Sequence, residues 1–227
     1  MPSPRRSRRL PPLCRWILLC LALAWSGSFA LEIDAQRLQS LAASRYGARG
    51  EQAMASWLAL LRTPPPAADR ERLRMANAFW NTHLRSGEDP AIWGQPDYWA
   101  TPLESLGKGA GDCEDFVIGK YFTLVALGVA PQKLRFIYVR ARLGGPGSSD
   151  QVAHMVLGYY ETPNAVPLVL DSLISPILPA TERRDLTPVF SFNAEGVYVD
   201  GRAAAPVDRL GRWRDLLQRM EREGIRP

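Results

Sequence analysis

Chemistry-bearing residues are scarce in this 227-residue chain, which has only three cysteines and two histidines. Three cysteines are too few for a disulfide framework, so the fold must stand on a hydrophobic core. No apolar run is long enough to cross a bilayer comfortably; the longest, Ile17 to Trp25, falls well short of the roughly 20 residues required. No internal repeat, collagen period or heptad array is present. An excess of charge is also missing once the first 30 residues are set aside. They hold five arginines and no acid, and without them the basic count falls from 28 to 23, equal to the acidic count. The basic pI therefore belongs to the leader and gives no support to nucleic-acid binding. With 46% hydrophobic and 22% charged residues, disorder is excluded as well.

The leader has the three parts of a secretory signal: a basic region ending at Arg15, the apolar stretch Ile17–Trp25, and small residues at Ser28 and Ala30. Residues 1–30 are expected to be a cleaved signal peptide, and residues 31–227 one exported domain. Cys14 and Cys20 leave with the leader. Cys113 then remains as a single thiol in an oxidising compartment, where it is either buried and inert or chemically used.

Helical spacing of Leu38, Leu41, Ala42, Met54, Trp57, Leu58 and Leu61 predicts helix from Asp34 to about Arg62, broken near Tyr46-Gly47. A second helical pattern covers Ala67–Leu84. Ser86–Gly111 reads as a long irregular stretch, of a length usually reserved for function. Cys113 to about Leu127 is helical and ends at Gly128. The period then changes to two: Leu134–Arg142 and Val152–Tyr160 are strands joined by the turn at Gly144–Asp150. A short strand follows at Pro167–Asp171, then a hairpin of Val189–Phe192 with Val197–Val199. Val207–Glu223 closes the chain as an amphipathic helix with Leu210, Trp213, Leu216, Leu217 and Met220 inward. Helices first and antiparallel strands after give an α+β domain.

Cys113 follows the Gly-rich segment 107–111 and opens a helix, where the dipole and free N–H groups favour a thiolate and supply an oxyanion donor. His154 lies mid-strand and Asp171 ends the next strand, placing a base and its orienting carboxylate within reach of one another. Cysteine on a helix, then histidine and aspartate on strands, describes a papain/transglutaminase-like fold, with N-terminal helices packed on an antiparallel sheet and the nucleophile at a helix N-terminus. His83 is the competing base, and Trp93 or Trp99 is offered as the second oxyanion donor. Asp112, Glu114 and Asp115 flank the thiol and oppose its ionisation. Three hard oxygen donors so close together suggest a divalent cation, Ca²⁺ above all, with Asp89 and Asp97 as further ligands. Plain helix capping by these acids is the alternative.

Asp97-Tyr-Trp-Ala-Thr-Pro-Leu-Glu104, Gly111-Asp-Cys-Glu-Asp-Phe116, Lys120-Tyr121, Ala153-His-Met155 and Leu170-Asp-Ser172 together resemble the bacterial transglutaminase-like cysteine proteinases over roughly residues 70–200. The resemblance implies a calcium-dependent periplasmic protease that cuts a large RTX-type adhesin after a di-alanine near its N-terminus. It also implies an inner-membrane cyclic-di-GMP receptor that sequesters the enzyme. By position, Cys113 is the implied nucleophile, His154 the base and Asp171 the orienter. Asp112 and Glu114 fall in the implied calcium site, with Asp115 adjoining. The Gly144–Asp150 turn reads as an insertion at the substrate or receptor rim. Two other functions stay open on the residues alone: acyl transfer to an amine by the same triad, and a silent calcium-binding regulatory module.

Overall fold

The structure, a computed structural model, describes residues 31–226 apart from 145–147 and 200; the expected signal peptide and the tip of the Gly144–Asp150 turn lie outside these residues. After the short strand β1 (Glu32–Ile33), a long helix, α1 (Ala35–Arg62), begins at the Asp34 cap, whose carboxylate accepts the Arg37 N–H. The break expected at Tyr46-Gly47 is present, because Gly47 takes φ 67°, a conformation open to glycine and costly for other residues. Thr63 ends α1 before the proline run Pro64–Pro66, and α2 (Asp69–His83) follows.

The stretch from 86 to 111 is more ordered than its composition predicts. It contains α3 (Asp89–Trp93) and α4 (Pro102–Lys108), and its end, β3 (Ala110–Gly111), pairs in parallel with β2 (Arg85–Ser86). The cause is local. Thr101 and Glu104 form a reciprocal capping box, Pro102 takes the first helical position, and Gly109 closes the helix in the left-handed region. The chain leading into α5 (Cys113–Ala126) is thus a rigid platform.

Past α5 the chain builds β4 (Leu134–Arg142), β5 (Gln151–Tyr159), β6 (Leu168–Leu170), β7 (Leu178–Pro179), β8 (Leu186–Phe192), β9 (Val197–Val199) and β10 (Arg202–Ala205). They form one antiparallel sheet in the order β10-β9-β8-β4-β5-β6-β7. The hairpin expected at 189–199 is β8–β9, and β7 and β10 extend the sheet beyond the strands that alternation revealed. The closing helix is α6 (Gly211–Glu223), preceded by a 3-10 turn at Val207–Arg209. Among the described residues no helix is long and apolar enough to cross a membrane.

One core joins helices and sheet. Leu134, Phe136, Met155, Leu157 and Tyr159 face the helices, while Ile137, Val139, Val156 and Val169 form a smaller cluster on the outer face. Trp213 of α6 reaches into the helix-facing core, stacking on Phe122 at 5.9 Å and meeting Phe136 edge-on at 5.2 Å. In the bundle, Trp80 lies so close to Gly119 of α5 that an added Cβ would sit 2.4 Å from the indole ring. The indole N–H groups of Trp57 and Trp80 both donate to Thr123 Oγ1 at 2.8 Å, and that hydroxyl donates to the Gly119 carbonyl at 2.7 Å. Thr123 is fully buried, so both indoles depend on it. The isosteric Thr123→Val substitution leaves two buried N–H donors without an acceptor. It is expected to lower stability by roughly 2 to 4 kcal/mol, measured as a reduced denaturant midpoint at unchanged slope.

Candidate active site

Asp112 caps α5: its Oδ1 accepts from the Glu114 N–H at 3.1 Å and the Asp115 N–H at 3.3 Å. Cys113 is therefore the first helical residue, as its sequence position predicted, and it is the only free cysteine among the described residues. Asp115, two residues further on, is completely buried; its Oδ1 accepts the Ala100 N–H at 2.7 Å. Gly111 makes room for it, since a Cβ there would lie 2.6 Å from Asp115 Cβ. Asp89, at the start of α3, accepts the Tyr98 N–H through Oδ2. Tyr98 in turn donates to Glu104 at 2.8 Å, and Arg219 of α6 contacts both Tyr98 and Glu104, which ties the platform to the C-terminal helix.

These elements bring three carboxylates together. Oxygen atoms of Asp89, Asp112 and Asp115 lie within 4.8 Å of one another, and Asp89 Oδ1 and Asp115 Oδ2 are buried with no hydrogen-bond partner among the described residues. Burial, then the Glu114, Asp115 and Asp89 charges, raise Asp112; burial, then Glu114 and Asp97, raise Asp89; and burial raises Asp115 to about 8. Of the ligands expected from sequence, Asp112, Asp115 and the further candidate Asp89 come together, whereas Glu114 points elsewhere: its Oε2 accepts the Cys113 thiol proton at 2.7 Å and its Oε1 accepts from Tyr138 at 3.1 Å. Successive helical residues diverge by about 100°, so Asp115 and Glu114 cannot face the same way. Asp97 is not in the set either; it is exposed and ion-paired with Arg212.

Burial, and then the Glu114 charge and hydrogen bond, push the Cys113 thiol well above its usual range. The Met155 N–H donates to the same sulfur and works the other way. That contact places the thiol against the backbone of β5, one residue beyond His154. β6 pairs with β5 only over Leu157–Tyr159, and the free strand edge beyond is where α5 delivers its first residue.

His154 Nε2 and Asp171 Oδ1 are 2.7 Å apart in a buried pair, as the order of strands predicted. The ring donates through Nε2, which fixes one tautomer and leaves Nδ1 as a base. Asp171 also accepts from the Leu173 N–H at 3.0 Å and from Arg183 Nη2 at 2.7 Å. Burial alone would raise its pKa, but His154, Leu173 and Arg183 outweigh that and bring it down to about 2. Its carbonyl accepts from Asn81 at 3.0 Å and from the fully buried Lys120 ammonium at 2.9 Å; burial lowers Lys120 to about 7. Among the described residues no hydrogen bond links Cys113 to His154 in this conformation; the thiol donates to Glu114 instead. His83 is exposed, stacked on Phe79 at 3.9 Å, and apart from this constellation. The indole N–H groups of Trp93 and Trp99 are buried without partners among the described residues. Tyr138 and Arg183 were not found from sequence, because neither stands in a local pattern with the residues it contacts.

A helix delivering a cysteine to a strand edge beside a buried His–Asp pair is the arrangement of a cysteine hydrolase. The chain belongs to the bacterial transglutaminase-like cysteine proteinases, whose family model matches residues 61–181, and it is a cysteine protease. It is similar to Legionella pneumophila LapG. The EGTA-treated LapG structure is 39% identical, with 84% of this chain and 100% of that one covered and a TM-score of 0.72. Calcium-bound LapG is 40% identical, with 83% and 99% covered and a TM-score of 0.70. No curated protein matches the sequence.

The raised acids set a pH dependence with a definite sign. Between the unfolded carboxylate value, about 3.9, and their folded values, the folded state holds more protons than the unfolded one, so stability falls as pH rises. In buffer stripped of multivalent cations, the unfolding free energy is expected to decline from about pH 4 to about pH 8, with a shallower decline in Asp115→Asn. Denaturant titrations across that range measure it.

Proposed function

We propose that this chain is an exported, calcium-dependent cysteine endopeptidase. Its substrate is a large surface adhesin, cut near the adhesin's N-terminus at a pair of alanines and so released from the outer membrane. An inner-membrane receptor for cyclic-di-GMP sequesters the enzyme when that messenger is abundant. Family membership and the likeness to LapG support the chemistry. The leader-like first 30 residues support export, and the motif resemblance supports the adhesin and the receptor.

The observation that carries the mechanism is the bond between His154 Nε2 and Asp171 Oδ1, which leaves Nδ1 as the free base beside the one described cysteine of a cysteine protease. For the reaction the thiol leaves Glu114 for His154 Nδ1, which receives its proton. The thiolate attacks the peptide carbonyl carbon. The Cys113 backbone N–H at the helix start, with Trp93 or Trp99 Nε1 as the second donor, stabilises the oxyanion. His154 then protonates the leaving amine, and afterwards removes a proton from the water that hydrolyses the thioester.

Asp89, Asp112 and Asp115 fit a calcium ion, since two of their buried oxygens lack donors and all three acids are raised, by burial first and then by neighbouring carboxylates. When bound, calcium supplies the positive charge that lets these carboxylates ionise together next to a thiolate. Asp112 also serves as the helix cap, and in that role it orients the first turn that carries Cys113.

The expected outcomes are specific. Cys113→Ala abolishes cleavage of an adhesin N-terminal fragment with the fold intact, and Asp171→Asn lowers kcat by roughly 10³- to 10⁴-fold. Calcium raises the Tm of the wild type but not of Asp115→Asn, and EGTA suppresses cleavage. A fully active Cys113→Ala protein would overturn the mechanism, and cleavage unchanged by EGTA would overturn the calcium role. Product masses showing an amine rather than water at the new C-terminus would make the enzyme a transferase.

A further inference from the structure

Arg183 lies outside every motif in the sequence, yet it is only 4% exposed and touches the fully buried carboxylate of Asp171. It follows the short turn Ala180–Glu182 and carries two acids on one guanidinium. Nη2 lies 2.7 Å from Asp171 Oδ2 and 2.7 Å from Asp185 Oδ2, while Nε lies 3.0 Å from Asp185 Oδ1. Asp185 meets the fork from the side away from Asp171, where an asparagine oxygen can still accept from Nε, and the Asp185 carbonyl is itself tied to the end of β4 by the Arg142 N–H at 2.8 Å.

The consequence for Asp171 is geometric. Lys120 and Asn81 hold its carbonyl and so set the backbone, but neither is bonded to the carboxylate. Oδ1 is shared by His154 and the Leu173 N–H, and Oδ2 is held by Arg183. Without a donor on Oδ2 the carboxylate is free to turn about its last bond and present either oxygen, or neither, to the imidazole. Burying an ion pair this deeply is seldom the most stable use of the space, because an apolar replacement commonly does as well; what the pair adds is a defined geometry.

We propose that Arg183 is a positioning residue of the active site: it locks the Asp171 carboxylate in the orientation that receives the His154 Nε2 proton, an inference that rests on the triad assigned above. It acts through Asp171 and His154 and does not touch the substrate.

The test uses the full chain with calcium present, in Arg183→Met, Arg183→Lys and Asp185→Asn. Two readouts are taken. One is the rate of Cys113 alkylation by iodoacetamide per folded molecule. The other is the ring-nitrogen NMR spectrum of His154, readable because the chain has two histidines and His83 serves as an internal reference. Wild type is expected to show a single tautomer protonated on Nε2. In Arg183→Met the tautomers mix and alkylation slows by about tenfold or more. Arg183→Lys recovers part of both, since one ammonium can reach one oxygen, and Asp185→Asn leaves the His154 spectrum close to wild type. Unchanged His154 signals and alkylation in Arg183→Met overturn the proposal. So does an Asp185→Asn variant with the full Arg183→Met effect, because Arg183 would then serve the loop and not Asp171. If Arg183→Met does not fold, the other two variants still decide between these outcomes. Wild-type alkylation in His154→Ala would defeat the triad itself, while the His154 spectra would still answer for Arg183.

Discussion

The burial of α5 on every side is the constraint on which the rest of the molecule depends. All residues from Asp115 to Leu124 are shielded from solvent, including a lysine, a threonine and an aspartate. A helix enclosed all round cannot slide or roll without opening the core, so its first residue is held in place by packing alone. Trp80 sits against Gly119, two indoles share Thr123, and Lys120 spans to the strand that ends at Asp171. The position of Cys113 is thus an outcome of core packing one to three turns away.

Around that fixed helix the electrostatics divide in two. At its start, three carboxylates crowd one another with two oxygens lacking donors, and the thiol beside them is held in its neutral form by burial and by Glu114. Across the strand, Asp171 has donors on both oxygens and on its carbonyl, and it stays ionised in full burial. One half is short of positive charge and the other is fully compensated. The thiol lies between them, on the strand edge that β6 leaves open.

Much of this was legible beforehand, for reasons that differ by residue. The strands at 134–142 and 151–159 followed from β-branched and aromatic runs on either side of a Gly-rich turn, and α5 from its apolar face and its glycine stop. The His154–Asp171 pair followed from chain order, since adjacent antiparallel strands bring such positions together. The helices of 86–111 were missed although the Thr101–Glu104 capping box is itself a sequence signal; glycine and proline content outweighed it. Glu114 was grouped with its neighbours because adjacency in sequence hides the rotation between successive helical residues. Asp89, named beforehand as a further ligand, is carried to the cluster by the parallel pairing of β2 with β3, whereas Arg183, which was missed, reaches Asp171 only through the fold of a loop. Contacts that depend on tertiary folding leave no periodic trace.

The two ends of the described chain are knotted into one another. Ile33 pairs with Ile225, the Asp34 N–H is bonded to the Gly224 carbonyl, and Arg37 grips the Arg222 carbonyl with two nitrogens. Arg219, a turn earlier on the same closing helix, braces the platform that carries Asp89. A chain without residues 219–226 has neither fastening, and the platform that carries Asp89 then loses its tie to the closing helix.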